Sequence, residues 1–429
     1  MRLLLVLLCV AVGTVAAALE PVFAACLFLW HDIFQPLTFA YRYGEYPLAL
    51  YAQGVLLVAF GYHAYRGRIH LRANHFVILT LVFLAWILVC TFLSPYPSAW
   101  SGFVMILKYL IPMMIISQFV KSKFDAEMLM LTLMFSVGIW AAAAGVLGPL
   151  HGSYPYLEIE GGQMTDNNEV AAATVGYLPF CIYFIFNYRW RFKVWGRLGF
   201  AAFLVISLSS IAFSQSRGAA VALGVLGILY LMLMSRRKIR DFTVMAVVVS
   251  LALFFAPKSF YERMETVQIG AQQTEESAQN RMLLMHAAWS GSLDHPIFGM
   301  GPYCWLDGYY EYTNDRHNPH NVWMKSSVET GFVGLALFLA VIGTVCFNLK
   351  RLSSAALAVG DKRASSIALS LMASIVGVCA ALTFLSQPYW EFLWAIMAVG
   401  AGFYANYMAA YPKLRSLVQE KARARKTAG

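Results

Sequence analysis

The chain has 429 residues, of which 60% are hydrophobic and 13% charged, roughly half the charge of an average soluble domain, so a water-soluble globular protein is excluded and a bilayer is the solvent. The net charge of +10 comes from short basic clusters set between long apolar runs. That arrangement records membrane topology and excludes a nucleic-acid footprint.

Apolar runs of membrane length recur at 3–19, 21–35, 46–64, 76–93, 100–119, 127–149, 170–187, 197–213, 218–234, 242–256, 326–349, 366–385 and 389–410. Basic clusters alternate with them: Arg66, Arg68 and Arg72; Lys121 and Lys123; Arg189, Arg191, Lys193 and Arg197; Arg236, Arg237, Lys238 and Arg240; Lys350, Arg351, Lys362 and Arg363; and the tail from Lys413 to Lys426. Short loops rich in Lys and Arg stay in the cytoplasm, which leaves 94–99, 150–169, 214–217, 257–325 and 386–390 outside. With Arg2 also inside, parity lets only one of the first two runs cross fully. The run at 21–35, short and interrupted by Pro21, is the one set aside. Arg2, an apolar core and Ala16 to Ala18 also fit a cleaved leader, but a second apolar run follows at once.

The expected fold is all-α: a polytopic integral membrane protein of about 12 transmembrane helices, both termini cytoplasmic, with one large periplasmic helical loop. It divides into an N-terminal transmembrane bundle (1–256), the loop with amphipathic helices (257–325), C-terminal transmembrane helices (326–411) and a basic tail (412–429).

Several polar residues in this apolar chain can bear on function. Arg42 and Glu45 lie in an external turn at 36–47, at headgroup level. Lys108 is mid-way along a membrane helix, where a charge needs a polar cavity or must snorkel. Gly161 and Gly162 mark a turn, and Asp166, Asn167 and Asn168 before the next helix read as a cap or as sugar ligands. Arg217 is lodged in the tight turn Ser214-Gln-Ser-Arg-Gly218; Ser214, Ser216 and Gly218 leave backbone donors free and room for an anion.

In the large loop, Glu262, Glu265, Glu275 and Glu276 alternate with Lys258 and Arg263 as in a solvated helix. Ser277 is a plausible cap for a following helix with Arg281 in its first turn. Met282, Leu283, Met285, Ala288 and Trp289 would form its apolar face on the membrane domain. Asp294-His-Pro-Ile-Phe-Gly-Met-Gly301 then ends it. Asp315-Arg-His-Asn-Pro-His-Asn321 precedes an inward helix beginning near Val322. His317 and His320 are three apart, but Pro319 between them pushes Asn318 out of helical space and no third ligand is nearby, so no metal is expected. His320 and Asn321, with Glu329, Gly331 and Gly334 beyond, read as a catalytic imidazole at the membrane surface or as a capping cluster. Asp-x-Asp, Gly-Lys-Ser/Thr, His-Glu-x-x-His and Gly-x-Ser-x-Gly are all missing, so nucleotide-driven chemistry has no support.

Together, Ser214-Gln-Ser-Arg-Gly218, Asn280-Arg281 leading to Asp294-His-Pro-Ile-Phe-Gly-Met-Gly301, and His320-Asn-Val-Trp followed by Glu329-Thr-Gly331 resemble the O-antigen ligase superfamily, which includes O-antigen polymerases and bacterial O-oligosaccharyltransferases. The resemblance covers about 160–340; Trp30 to Ala49 resembles the O-glycosylation ligases associated with exosortase systems. It implies a GT-C-like enzyme of the bacterial inner membrane that moves a glycan from undecaprenyl pyrophosphate to a hydroxyl, in ligases one of lipid A-core, on the periplasmic face. No cofactor is implied. His320 would be the base and Arg217 and Arg281 the pyrophosphate ligands; Asn321, His317, Arg316, Lys108, Arg42, Asn167 and Asn168 would bind substrate. A polymerase, a protein O-oligosaccharyltransferase and, further off, a lipid-linked glycan transporter are the alternatives.

Overall fold

The computed structural model describes residues 1–40, 47–69, 71–151, 166–188, 192–214, 216–233, 239, 243 and 272–411. Among these there are helices and no strands: α1 (Arg2–Leu19), α2 (Pro21–Phe34), α3 (Pro36–Phe39), α4 (Leu48–Tyr65), α5 (His75–Leu93), α6 (Ser98–Phe119), α7 (Lys123–His151), α8 (Asn167–Asn187), α9 (Lys193–Ser214), α10 (Arg217–Leu233), α11 (Gln272–Asp294), α12 (Trp305–Gly308), α13 (Val322–Ala358), α14 (Lys362–Leu382) and α15 (Glu391–Ala410). Ten are long and apolar enough to cross a membrane, and α2 and α10 are shorter apolar helices. The protein is an all-α, multi-pass membrane protein. The expected run at 242–256, Thr243 apart, the residues from Lys258 to Arg263, and the tail from 412 lie outside the described residues.

Apolar sequence makes these segments helical because only a helix satisfies its own backbone in hydrocarbon. α15 packs at the centre. Its Trp394 is fully buried and stacks on Phe83 of α5 and Phe338 of α13, with ring centroids 6.1 and 5.9 Å away. Charged contacts mark one end of the bundle. There Lys123 meets Asp361 at 2.7 Å, Arg363 and Tyr183 bind Glu127, and Arg72 donates to the Ala405 carbonyl. This basic end is opposite the end that carries residues 272–321.

The N-terminus departs from the expectation. Arg68 donates to the carbonyl of Leu19 at 2.8 Å and Lys121 lies 3.7 Å from Glu20, so α1 finishes at the basic end. Arg2 lies over the Phe39 ring, 5.3 Å from its centroid, at the loop-bearing end. Hence α1 runs towards the basic end and α2 away from it, and Arg2 is not with the other basic clusters. α2 has 14 residues, about 21 Å, short for a lipid-facing span. It is enclosed instead: Ala24, Ala25 and Leu29 are fully buried, so it need not match the hydrocarbon thickness. Arg2 is accommodated by the ring and carbonyl of Phe39.

The feature that shapes the loop-bearing end is a break in α13. Gly331 has φ 70° and ψ 175° inside the helix, which interrupts the hydrogen-bond ladder. The freed groups are taken up by the motif before it. Met300 N donates to the Val328 carbonyl at 2.8 Å, Gly301 N to Glu329 at 2.9 Å, and Phe332 N to Pro296 at 2.8 Å; Trp86 Nε1 takes the Thr330 carbonyl at 2.9 Å. A Cβ on Gly331 would fall 1.9 Å from the Ile297 oxygen, so only glycine permits this closure.

Candidate active site

Four chain segments meet at the loop-bearing end. The first is the start of α8. Asp166 caps it, accepting from Glu169 N at 2.8 Å, while Glu169 returns a bond to the Asp166 N–H, a capping box. Asn167 is the first helical residue and Asn168 leans on Asp166 at 3.5 Å. Glu169 also accepts from Gln387 at 2.8 Å, which ties this start to the turn between α14 and α15.

The second segment is the turn into α10. Ser216 caps the helix through Ala219 N at 3.3 Å, and Ser216 N itself donates to Ser214 at 3.2 Å. Some of the backbone donors expected to be free are therefore used within the turn; Gln215 lies outside the described residues. Arg217 is exposed at the first helical position, beside the positive end of the helix dipole. Gly218 lets this turn close on Phe384, whose Cβ would lie 2.8 Å from an added methyl.

The third is α11, and here the sequence reading needs correction. The helix begins at Gln272, so Ser277 lies inside it and Arg281 is beyond the first turn. The face that packs is Leu284, Ala287, Ala288, Gly291 and Ser292, all buried. Met282, Leu283, Met285 and Trp289 of the expected face are exposed, and only Ala288 is inside. Small residues let α11 approach α13 closely: the Ser292 and Ser327 hydroxyls are 2.8 Å apart. In a protein surrounded by lipid, bulk and hydrophobicity do not mark the inner face. Asp294 does end the helix. Its carboxylate lies near Tyr312, whose phenol is pushed up to about 12, by burial first and then by that neighbour.

The fourth is the strap 313–321 before α13. Trp305 Nε1 donates to the His317 carbonyl at 2.8 Å, and the His317 ring pairs with Asp315. Asn321 caps α13, accepting from Trp323 N and Met324 N at 3.0 and 3.1 Å. His320, just before the cap, takes φ 47°. Its imidazole is half-buried and held below the usual histidine range, first by that burial, then by the charge of Arg281, with Asp166 opposing. Trp323 Nε1 bonds Thr383 at 3.1 Å, beside the Phe384 that packs on Gly218.

These links bring together the start of α8, the Arg217 turn, Arg281 and His320. Arg316 and His317 are exposed on the same strap. Lys108 is not part of this gathering. It is exposed on α6, ten residues into that helix, and its carbonyl accepts from Gln53 at 3.4 Å. Arg42 and Glu45 lie outside the described residues. Among the described residues no three His, Cys, Asp or Glu gather as metal ligands. The imidazole can accept a proton, and the guanidinium groups can bind an anion in forked geometry.

Sequence reasoning did not single out Lys325, which is buried one turn into α13. Its position at the seam between loop and helix was the available signal. Glu329-Thr-Gly331, grouped there with the site, proves to be the break in α13.

Comparison with known families assigns two segments. Residues 201–339 match a family model described as O-Antigen ligase, and residues 1–189 match one described as a family of unknown function (DUF5935). No curated protein matches the chain. The first match contains Arg217, Arg281, His320 and the break at Gly331.

Proposed function

We propose that this chain, which belongs to the O-antigen ligase superfamily, transfers a glycan from undecaprenyl pyrophosphate to a sugar hydroxyl of lipid A-core at the periplasmic face of the bacterial inner membrane. Members of the family are membrane enzymes of the glycosyltransferase or ligase type. The observation that carries the finer reading is the meeting of one imidazole with Arg281 beside it and the Arg217 turn linked through Thr383 and Phe384. His320 removes the proton from the acceptor hydroxyl. The oxygen bonds to the anomeric carbon, the carbon–phosphate oxygen bond breaks, and the electron pair leaves with the lipid pyrophosphate. Arg217 and Arg281 neutralise the charge that develops there, the task a metal performs elsewhere. Direct displacement inverts the anomeric centre. Asn321, His317, Arg316, Asn167 and Asn168 line the approach and bind sugar or phosphate, and Lys108 and Arg42 meet lipid phosphates arriving from the bilayer.

His320→Ala should leave the protein in the membrane and yield lipopolysaccharide without O-antigen caps. A normal ladder on a gel would overturn the reading. Caps of a single repeat would assign the chain to the polymerases instead.

A further inference from the structure

One cation secures the strap that carries His320 from below. Lys325 is 7% exposed. Its Nζ donates to Asn318 Oδ1 at 3.0 Å, lies 3.8 Å from Glu329 Oε1 and stands 5.5 Å from the centroid of the Tyr303 ring. Glu329 is fully buried, and neither of its carboxylate oxygens accepts a hydrogen bond of normal geometry among the described residues, although the backbone N–H groups of Tyr303 and Trp305 are near. A buried ammonium needs such partners. The fold itself does not need the ammonium, since apolar side chains in place of a buried ion pair often leave stability unchanged or raise it. What an apolar side chain cannot do is hold Asn318.

Asn318 is where the strap needs holding. Pro319 after it restricts Asn318 to extended backbone and brings no N–H of its own. His320 then adopts φ 47°, a region that side-chain-bearing residues seldom enter and that persists only when the surroundings impose it. Asn321 fixes one side of His320 through its cap bonds. Lys325 fixes the other through Asn318, and Trp305 adds a bond to the His317 carbonyl.

We propose that Lys325, held by Glu329, is a positioning residue for the transfer reaction: its bond to Asn318 sets the strap so that His320 faces the acceptor hydroxyl. This rests on the ligase reading above. Two double variants isolate that bond. Lys325→Met with Glu329→Gln, and Lys325→Gln with Glu329→Gln, both remove the buried charges, but only the second keeps a donor for Asn318. In purified, lipid-reconstituted protein the Met form should lose about 10–100-fold in kcat, the scale of a slightly misplaced catalytic group, with KM little changed. The Gln form should stay within a few-fold of the unaltered protein. Asn318→Leu, which leaves the ion pair in place, should reproduce the Met result and serves if a double variant does not insert. Equal kcat in the two double variants, or unchanged kcat in Asn318→Leu, would overturn the proposal. Hydrogen exchange of peptides covering 313–321 gives a readout independent of activity, expected to be faster in the Met form only. If the unaltered protein transfers no glycan, the ligase reading fails, while unchanged exchange in the Met form counts against Lys325 as the strut.

Discussion

His320 has to be neutral to act as a base, and its surroundings favour that state, through burial first and the Arg281 charge second. The depressed value means activity should persist below the pH where a free imidazole protonates, so the acid limb of kcat/KM should lie below about 6.5. The same sign governs folding: this residue costs no stability above its unfolded value and costs progressively more as pH falls towards its folded one. Arg281→Gln removes a lowering influence and should move the limb upwards; a limb at or above about 6.5 in the unaltered protein would contradict the assignment. Arg217→Lys and Arg281→Lys keep charge but lose the fork, and each should lower kcat/KM by roughly tenfold or more. Arg217 and His320 drew attention in the sequence because a charged or titratable side chain beside an apolar helix start needs a reason, and Arg281 because it leads into the motif that ends at Gly301. Lys325 did not, because one-dimensional reading left it as the last residue of the external loop, and only the fold shows it buried against Glu329.

Among the elements, broken α13 organises the site, and its cause is local. The carbonyls of Val328, Glu329 and Thr330 are taken by Met300, Gly301 and Trp86, which joins the 295–301 turn to the base of the strap. Gly331→Ala would face both φ 70° and a contact of 1.9 Å with the Ile297 oxygen. The backbone strain alone is about 1–3 kcal/mol, so thermal unfolding in detergent should shift clearly downwards; an unchanged midpoint would show that the break is not needed. The sequence showed that the Asp294 to Gly301 motif ends a helix, but not that it caps a break more than 25 residues later, because that pairing is long-range. It also misplaced the packed face of α11. Leu284, Ala287, Ala288 and Gly291 form the inner stripe, and the larger apolar residues on the other side of the helix obscured it.

For the whole molecule, apolar periodicity and basic clusters were enough to reveal an all-α membrane protein and the grouping of its ends. Parity at the N-terminus failed because a single arginine was weighted as a cluster and an enclosed helix was measured by a rule for lipid-facing ones. Contacts of Arg2 with Phe39 and of Arg68 with Leu19 predict that an epitope fused before Met1 is protected on the same side as residues 272–321, opposite the end of the bundle that carries Lys123 and Asp361. Labelling from the basic end's side would contradict the direction of α1. The central claim is that His320 and the two arginines perform glycan transfer without nucleotide or metal. Purified protein in lipid nanodiscs, given a polyprenyl-pyrophosphate-linked glycan and lipid A-core in the presence of a chelator and without ATP, tests it most directly. The account predicts that the glycan appears on lipid A-core and that the His320→Ala protein forms none; transfer by that variant at the rate of the unaltered protein, or no transfer by either, would contradict it.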